Sequence, residues 1–397
     1  MNRTILTGGF CVVTAVSSFA YATNGMRAIG AGPVQRSMGG AGTALPLDST
    51  AAATNPAGVS RLNRRLDVSV TYFAPDVEYK AHSDFGMVTR DGDTVSSRTN
   101  PCWIPTTGLV LPLNDRLTFG ASVQGTCGMG VDYPSNLYHN VTYTQYRLMR
   151  LVPALAWSVT DKLSIGGALS VDYAQMEYHA GPASQVPHED GEAFGMGATI
   201  GSLYQLTDRI SLGLAYETKQ DFEDFTFRTS LGTDRLALDQ PQSVACGLGI
   251  RPARNLRAAM DVVWIDWPQT VGGNLPAYTT NNSGAAAWDM DWDEQTVYRV
   301  GLEWDLSESL TLRGGYNYGK HPLNSSRAFE NIAFPAIAEQ HITAGCGIKL
   351  RKGWTLNAAF MYAPEVAFST ANPTQFIDRA TTRMSQYAVD VGLAMKW

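Results

Sequence analysis

Residues 163–173 read LSIGGALSVDY, and the alternation within them decides what kind of wall this chain builds. Leu163, Ile165, Gly167, Leu169, Val171 and Tyr173 share one face of an extended segment, while Ser164, Gly166, Ala168, Ser170 and Asp172 share the other. A period of two over about 11 residues predicts a strand that is apolar outward and small or polar inward, long enough to cross a bilayer when tilted. The turn before it, Val159-Thr160-Asp161-Lys162, recurs in kind at 113–116, 206–209, 251–255, 305–309 and 350–353. The recurrence, roughly every 50 residues, makes a hairpin the repeating unit.

Reading outward from that hairpin predicts fourteen strands, near 66–79, 103–113, 116–127, 144–159, 162–178, 192–206, 209–220, 240–252, 255–267, 294–305, 308–320, 337–351, 353–363 and 384–397. The last is the cleanest: Tyr387, Val389, Val391, Leu393, Met395 and Trp397 alternate with Ala388, Asp390, Gly392, Ala394 and Lys396. Tight turns join the strands at one end. Long, polar loops are expected at the other, over 128–143, 179–191, 221–239, 268–293, 321–336 and 364–383. An even strand count with that asymmetry predicts an all-β fold, a 14-stranded antiparallel transmembrane β-barrel.

Composition supports the same class. Only 17% of residues are charged, against 44% hydrophobic, and the net charge is −6; a soluble domain carries about 25% charged residues. No window is long and apolar enough for a spanning helix. Residues 1–22 carry Arg3, an apolar run from Ile5 to Val16 and Ala20-Tyr21-Ala22, the pattern of a secretory signal peptide. No basic stripe points to nucleic acid. Of the five cysteines, Cys102, Cys127, Cys246 and Cys346 lie beyond that segment. They show no metal spacing, and neither a metal nor another cofactor is expected. Cys102 and Cys127 are equidistant from the Asn114-Asp115 turn, so an unbulged hairpin would set them opposite and allow a disulfide.

Residues 23–65 stand apart. They are crowded with Gly, Ala, Ser and Thr, hold no aromatic ring and follow neither helical nor strand periodicity. Irregular backbone persists only where its polar groups find partners, so the segment reads as a plug inside the barrel formed by 66–397. Asp67, Arg150, Asp172, Glu217, Asp261, Glu303, Arg299, Arg313 and Asp390 face inward on the predicted strands. Arg299, Arg313 and Asp390 are the expected anchors of the plug, the others residents of a wet interior. Arg61, Arg64 and Arg65 are expected at the interface as solvated charges.

Arg36-Ser37-Met38-Gly39-Gly40-Ala41-Gly42-Thr43-Ala44, Asp48 and Asn55-Pro56-Ala57-Gly58 resemble the N-terminal hatch of the FadL/TodX family of outer-membrane transport proteins for hydrophobic compounds. The resemblance spans essentially the whole mature chain. It implies a fourteen-stranded barrel closed by a hatch, a ligand in an apolar pocket, and sideways exit at a kinked third strand, where Gly125, Gly128 and Gly130 fall.

The implied function is passive uptake of long-chain fatty acids or aromatic hydrocarbons across the outer membrane of a Gram-negative bacterium. The implied partners are outer-membrane lipid, the hydrophobic ligand and, during biogenesis, the barrel-assembly machinery; the protein is expected to be a monomer. Loop 179–191 is too short for the helical docking arm of some relatives, so Trp288, Met290 and Trp292 are the expected outer landing surface. A porin for polar solutes and a barrel enzyme remain the alternatives. Against the enzyme, there is no G-x-S-x-G, and the six histidines lack a nucleophile partner. His179 and His188 share a predicted loop with Glu189 and Asp190, read as a solvated loop ahead of a weak metal site.

Overall fold

The computed structural model describes residues 24–84, 88, 90–99, 101–134, 142–180, 186–272, 278–280, 290–370 and 378–397. The signal-peptide reading of 1–22 lies outside them. Fourteen strands follow one another round a closed antiparallel cylinder. In chain order they are β1 (Arg65–His82), β2 (Cys102–Pro112), β3 (Leu117–Asp132), β4 (Tyr143–Ser158), β5 (Leu163–Ala180), β6 (Val186–Thr207) and β7 (Ile210–Glu217), then β8 (Ser243–Ala253), β9 (Leu256–Ile265), β10 (Gln295–Asp305), β11 (Leu310–Tyr318), β12 (Gln340–Lys349), β13 (Trp354–Ser369) and β14 (Arg379–Lys396). β14 closes on β1 from Arg65↔Lys396 to His82↔Arg379, so the first and last strands leave no open edge between them.

The alternation predicted for the last strand is the one observed. Tyr387, Val389, Val391 and Leu393 are exposed, whereas Ala388, Asp390 and Ala394 are buried. The large exposed side chains of the other strands are likewise apolar: Leu169, Ile200, Met260 and Phe360 are examples. In water such a surface would be an aggregation hazard; in a bilayer it is the solvent-matched face.

The outer ends differ from the expectation of long polar loops. β5 and β6 run on to Ala180 and from Val186, so most of 179–191 is wall. Residues 225–229 and 232–236 form a hairpin, joined by 278–280. The 321–336 loop is not polar in position at all: Phe329, Ile332, Ala333, Phe334 and Ala336 are at most 2% exposed. Its sequence, AFENIAFPAIA over 328–338, has no strand period, and such a run is satisfied by folding into an apolar space.

Candidate functional site

Residues 24–64 contain a short helix α1 (Gly32–Ser37), one helical turn α2 (Ala51–Thr54) and a 3-10 segment, Pro56–Arg61. The rest is irregular, and its polar groups are answered by inward-facing side chains of the wall. The Gly42 and Thr43 amides and the Thr43 hydroxyl all donate to Oδ2 of Asp261, at 2.8, 3.0 and 2.8 Å. Thr343 accepts from the Gly39 amide at 3.1 Å and donates to the Ser37 carbonyl at 3.0 Å. Asn317 donates to the Gly39 carbonyl, and Ser211 to that of Ala44. Each such bond contributes about 1 kcal/mol and more when one partner is charged, so the segment is held by many modest, directional terms.

The motif residues have separable jobs. Gly40 has φ +81°, and a Cβ there would lie 1.7 Å from the Ile29 carbonyl oxygen. No other residue fits that turn. Arg36 is buried, donates to the Gly30 carbonyl at 2.9 Å and faces Asp390 at 3.4 Å. Met38 is buried with Ala41, Leu45 and Ala259. Asn55 is extended, as a residue before proline prefers. Its Oδ1 accepts from the Ala57 amide at 3.2 Å, and its Nδ2 donates to the carbonyls of Thr43 and of Ser202 on β6, at 2.7 and 3.0 Å.

Pro56 and Ala57 then press on bare wall: a Cβ at Gly166 would lie 2.4 Å from the Ala57 nitrogen. Gly166 pairs with Gly201, so two strands together offer the smooth patch that receives the turn. These wall glycines were not singled out from sequence, although glycine at an inward position of an otherwise regular strand was the available signal.

Asp48 accepts from the Thr50 amide at 3.0 Å, just before α2. Burial, helped by the nearby Asp67, pushes its carboxyl up to about 6, against the opposing pull of Arg65 and the Thr50 hydrogen bonds. Three expectations need correction here. Arg65 is not a solvated interface charge: it is buried, pairs with Asp67 at 2.6 Å and donates to the Leu47 carbonyl. Arg313 does not reach residues 24–64; it holds Glu303 at 2.6 Å and Asn357 at 3.2 Å. Asp261 and Asp67 bond that segment instead, Asp67 through the Ser49 amide at 3.1 Å. Arg299 does meet it, at the Gly40 carbonyl, as Asp390 does through Arg36.

The wall is interrupted beside this segment. β2 and β3 are paired only from Pro112↔Thr118 to Thr106↔Gln124, while β3 continues along β4 to Asp132 past a register shift between Gly125 and Cys127. Gly125 is thus at the irregularity, and Gly128 and Gly130 lie in the regular ladder beyond it. On its other side, the outer part of β3 is met by the N-terminal chain. The Ala28 amide donates to the Thr126 carbonyl at 2.9 Å and the Gly128 amide to that of Met26 at 3.4 Å.

The β2–β3 register is one residue off a hairpin centred between Asn114 and Asp115, so the symmetry that set Cys102 opposite Cys127 does not hold. The Cys127 side chain lies outside the described residues.

Behind the interruption lies a space of about 130 Å³ reached by Arg27, Ile29, Thr126, Arg150, Glu217 and Arg299. Arg150 grips Asp172 through two hydrogen bonds, at 2.7 and 2.9 Å, and also bonds Glu217; Arg27 reaches Glu217 at 3.0 Å. Toward the outer end the interior becomes predominantly apolar, a cluster in which Met26, Tyr146, Met176, Phe225, Trp267 and Phe334 take part. Met290 and Trp292 belong to it, 2% and 1% exposed, with Trp292 edge-on to Trp267 at 5.0 Å and bonded to Asn331 at 2.6 Å. They face inward and form no outer landing surface; Trp288 lies outside the described residues. His188 is no solvated loop residue either: it is buried, bonded to Asp234 at 2.6 Å and stacked on Tyr178.

Known proteins resemble this arrangement. The chain is 22% identical to the long-chain fatty acid transport protein of Escherichia coli O6:H1, covering 82% of this chain and 84% of that one. It is 23% identical to outer membrane protein P1 of Haemophilus influenzae, covering 70% of each. Among solved structures, a Pseudomonas aeruginosa FadL homologue superposes with a TM-score of 0.76 at 18% identity, over 96% of this chain and 100% of that one. The toluene transporter TodX of Pseudomonas putida gives 0.72 at 18%, over 93% and 99%. The model of the outer membrane protein transport family (OMPP1/FadL/TodX) matches residues 9–395, and with that match the chain is a member of this family of outer-membrane β-barrels.

Proposed function

We propose that this protein is a passive outer-membrane channel for hydrophobic small molecules, long-chain fatty acids or monoaromatic hydrocarbons. In this reading residues 23–65 act as the hatch, and the gap beside β3 is the sideways exit. One observation carries it: the β2–β3 ladder stops at Thr106↔Gln124, and beyond it the edge of β3 is bridged by Met26 and Ala28 and, at Asp132, by Ser97 and Arg98, not by a paired strand. Beside Gly125 the bridge is two backbone hydrogen bonds from the N-terminal chain, a small barrier of about 1 kcal/mol each, so it can part where a continuous ladder cannot.

The apolar cluster supplies the driving term for entry, since each Å² of ligand surface buried there stabilises the bound state by about 25 cal/mol. The 130 Å³ space has the volume for about one aromatic ring, but Arg27, Arg150, Glu217 and Arg299 line it, so the apolar cluster above is the better seat for the ligand. A long acyl chain fits only by displacing protein, and 328–338 is the apolar segment placed to be displaced. The fatty-acid transport protein and the toluene transporter among the similar proteins support both ligand classes. Nothing positive in the sequence or in those relatives points to catalysis.

Ala28→Pro removes the donor to Thr126 and tests the exit. Cells carrying it are expected to take up labelled dodecanoate or toluene several-fold faster, with single-channel conductance still low and melting in detergent unchanged. Unchanged uptake in a folded variant sinks the exit, and a large steady conductance in the parent protein would favour the porin alternative.

A further inference from the structure

At the end of the barrel where the tight turns lie, a second chamber opens beneath residues 24–64, with a volume of about 260 Å³. Its charge is unlike that of the chain as a whole. The protein carries a net −6, yet seven lysine and arginine side chains line this space against the two carboxylates Glu303 and Asp305. Part of that excess is internally compensated. Glu303 holds both Arg257 at 2.7 Å and Arg313 at 2.6 Å, Asp305 bonds Arg257, and Arg65 is committed to Asp67. Arg61, Arg251, Lys349 and Lys396 have no ion pair with any described residue.

Four unpaired cations gathered round one concavity repel one another, and an arrangement of that kind is relieved by a counter-anion. Arg257 and Arg313, fixed by Glu303, add guanidinium donors of the geometry that carboxylate and phosphate groups accept. The roof is different in kind: Val34, Pro46, Leu47 and Leu62 are apolar. A charged rim under an apolar roof suits an oxyanion that carries, or follows, a hydrocarbon tail.

We propose that this chamber is an oxyanion-binding site at the periplasmic mouth, taking a carboxylate or phosphate group. The inference does not depend on what crosses the barrel above, because none of its residues takes part in the β3 gap or the outer apolar cluster. Two probes separate the sources of the anion. Inorganic phosphate reads the charged rim alone, and dodecanoate reads rim and roof together.

The experiment is calorimetric titration of the full-length protein in a non-ionic detergent, beside Arg251→Gln/Lys349→Gln/Lys396→Gln. All three side chains are exposed, so the variant keeps its fold. Phosphate is expected to bind the parent in a salt-sensitive manner and the variant at least about tenfold more weakly. A comparable loss for dodecanoate, which also meets the outer cluster, appears as one fewer bound equivalent. If dodecanoate at this site binds tighter than phosphate, the roof is engaged and the occupant is an amphiphile; equal affinity assigns a free anion. Phosphate and dodecanoate titrations that are indistinguishable between parent and variant overturn the site. Uptake through the exit is read separately with Ala28→Pro, so failure of either proposal leaves the other standing.

Discussion

The two halves of this barrel are both filled, but by opposite physics. Toward the tight turns the interior holds irregular backbone whose amides donate to Asp261 and Thr343 and whose carbonyls accept from Asn317 and Ser211. Toward the outer end it holds aromatic and aliphatic side chains with few polar groups, among them residues 328–338 folded inward from a loop. The first filling is directional and cannot be exchanged for a ligand without stranding buried polar groups. The second is non-directional, and an apolar guest can replace it contact for contact. Opening is therefore cheap above residues 24–64 and beside β3, not through Asp261.

That contrast breaks most visibly at Asp261. Asp261→Ala leaves three donors without their acceptor, and a loss of about 4 kcal/mol of local stability is expected. Hydrogen exchange at the Gly42 and Thr43 amides should accelerate accordingly, and protection equal to the parent would show that the lower half is not held as described. The matching change above is Phe334→Ala, expected to cost about 3 kcal/mol by cavity formation. Here the melting temperature should fall, yet apolar ligand should bind more tightly and restore part of the loss. A drop without ligand rescue would mean the outer packing is as fixed as the inner bonding.

The lower half also carries a pH dependence. The Asp48 carboxyl, raised to about 6 by burial and Asp67, binds its proton more tightly in the folded protein than in the unfolded chain. Its ionisation therefore costs nothing below about pH 4, and the penalty grows as pH rises to about 6 and stays above it. Asp48→Asn should remove that penalty, gaining about 2 to 3 kcal/mol above pH 6 and little below pH 4, as read from exchange of the α2 amides. The outer cluster should show no such dependence. The smallest effect on residues 24–64 is expected for Arg313→Gln. Glu303 keeps Arg257, and exchange at Gly39 and Gly40 should be unaltered because Arg313 does not touch them.

Much of the wall was legible in the sequence. The alternation at 163–173 and 387–397 and the recurring turns placed all fourteen strands, because a period of two is a property of neighbouring residues alone. The motif residues Gly40, Arg36 and Asn55 were legible as a group through their resemblance to the FadL/TodX hatch; of the three, only Asn55, extended before Pro56, carries a purely local reason. Loop 321–336 was misread as polar and the Trp292 region as an outer surface. A loop that folds inward and a loop that faces solvent differ in destination more than in local pattern.

By itself, then, the sequence determined a greasy-outside cylinder and a short glycine-rich segment in need of partners. Only the tertiary structure decided which partners those are. Asp261 meets Gly42 across 219 residues and Asp390 meets Arg36 from the far end of the chain, positions fixed by closure of β14 on β1. The same closure decides that residues 26–28 cover β3 and that 328–338 fill the outer lumen. Strand register is written locally, but which inward side chains share a height inside the barrel depends on stagger summed round the whole ring, and no window of sequence contains that sum.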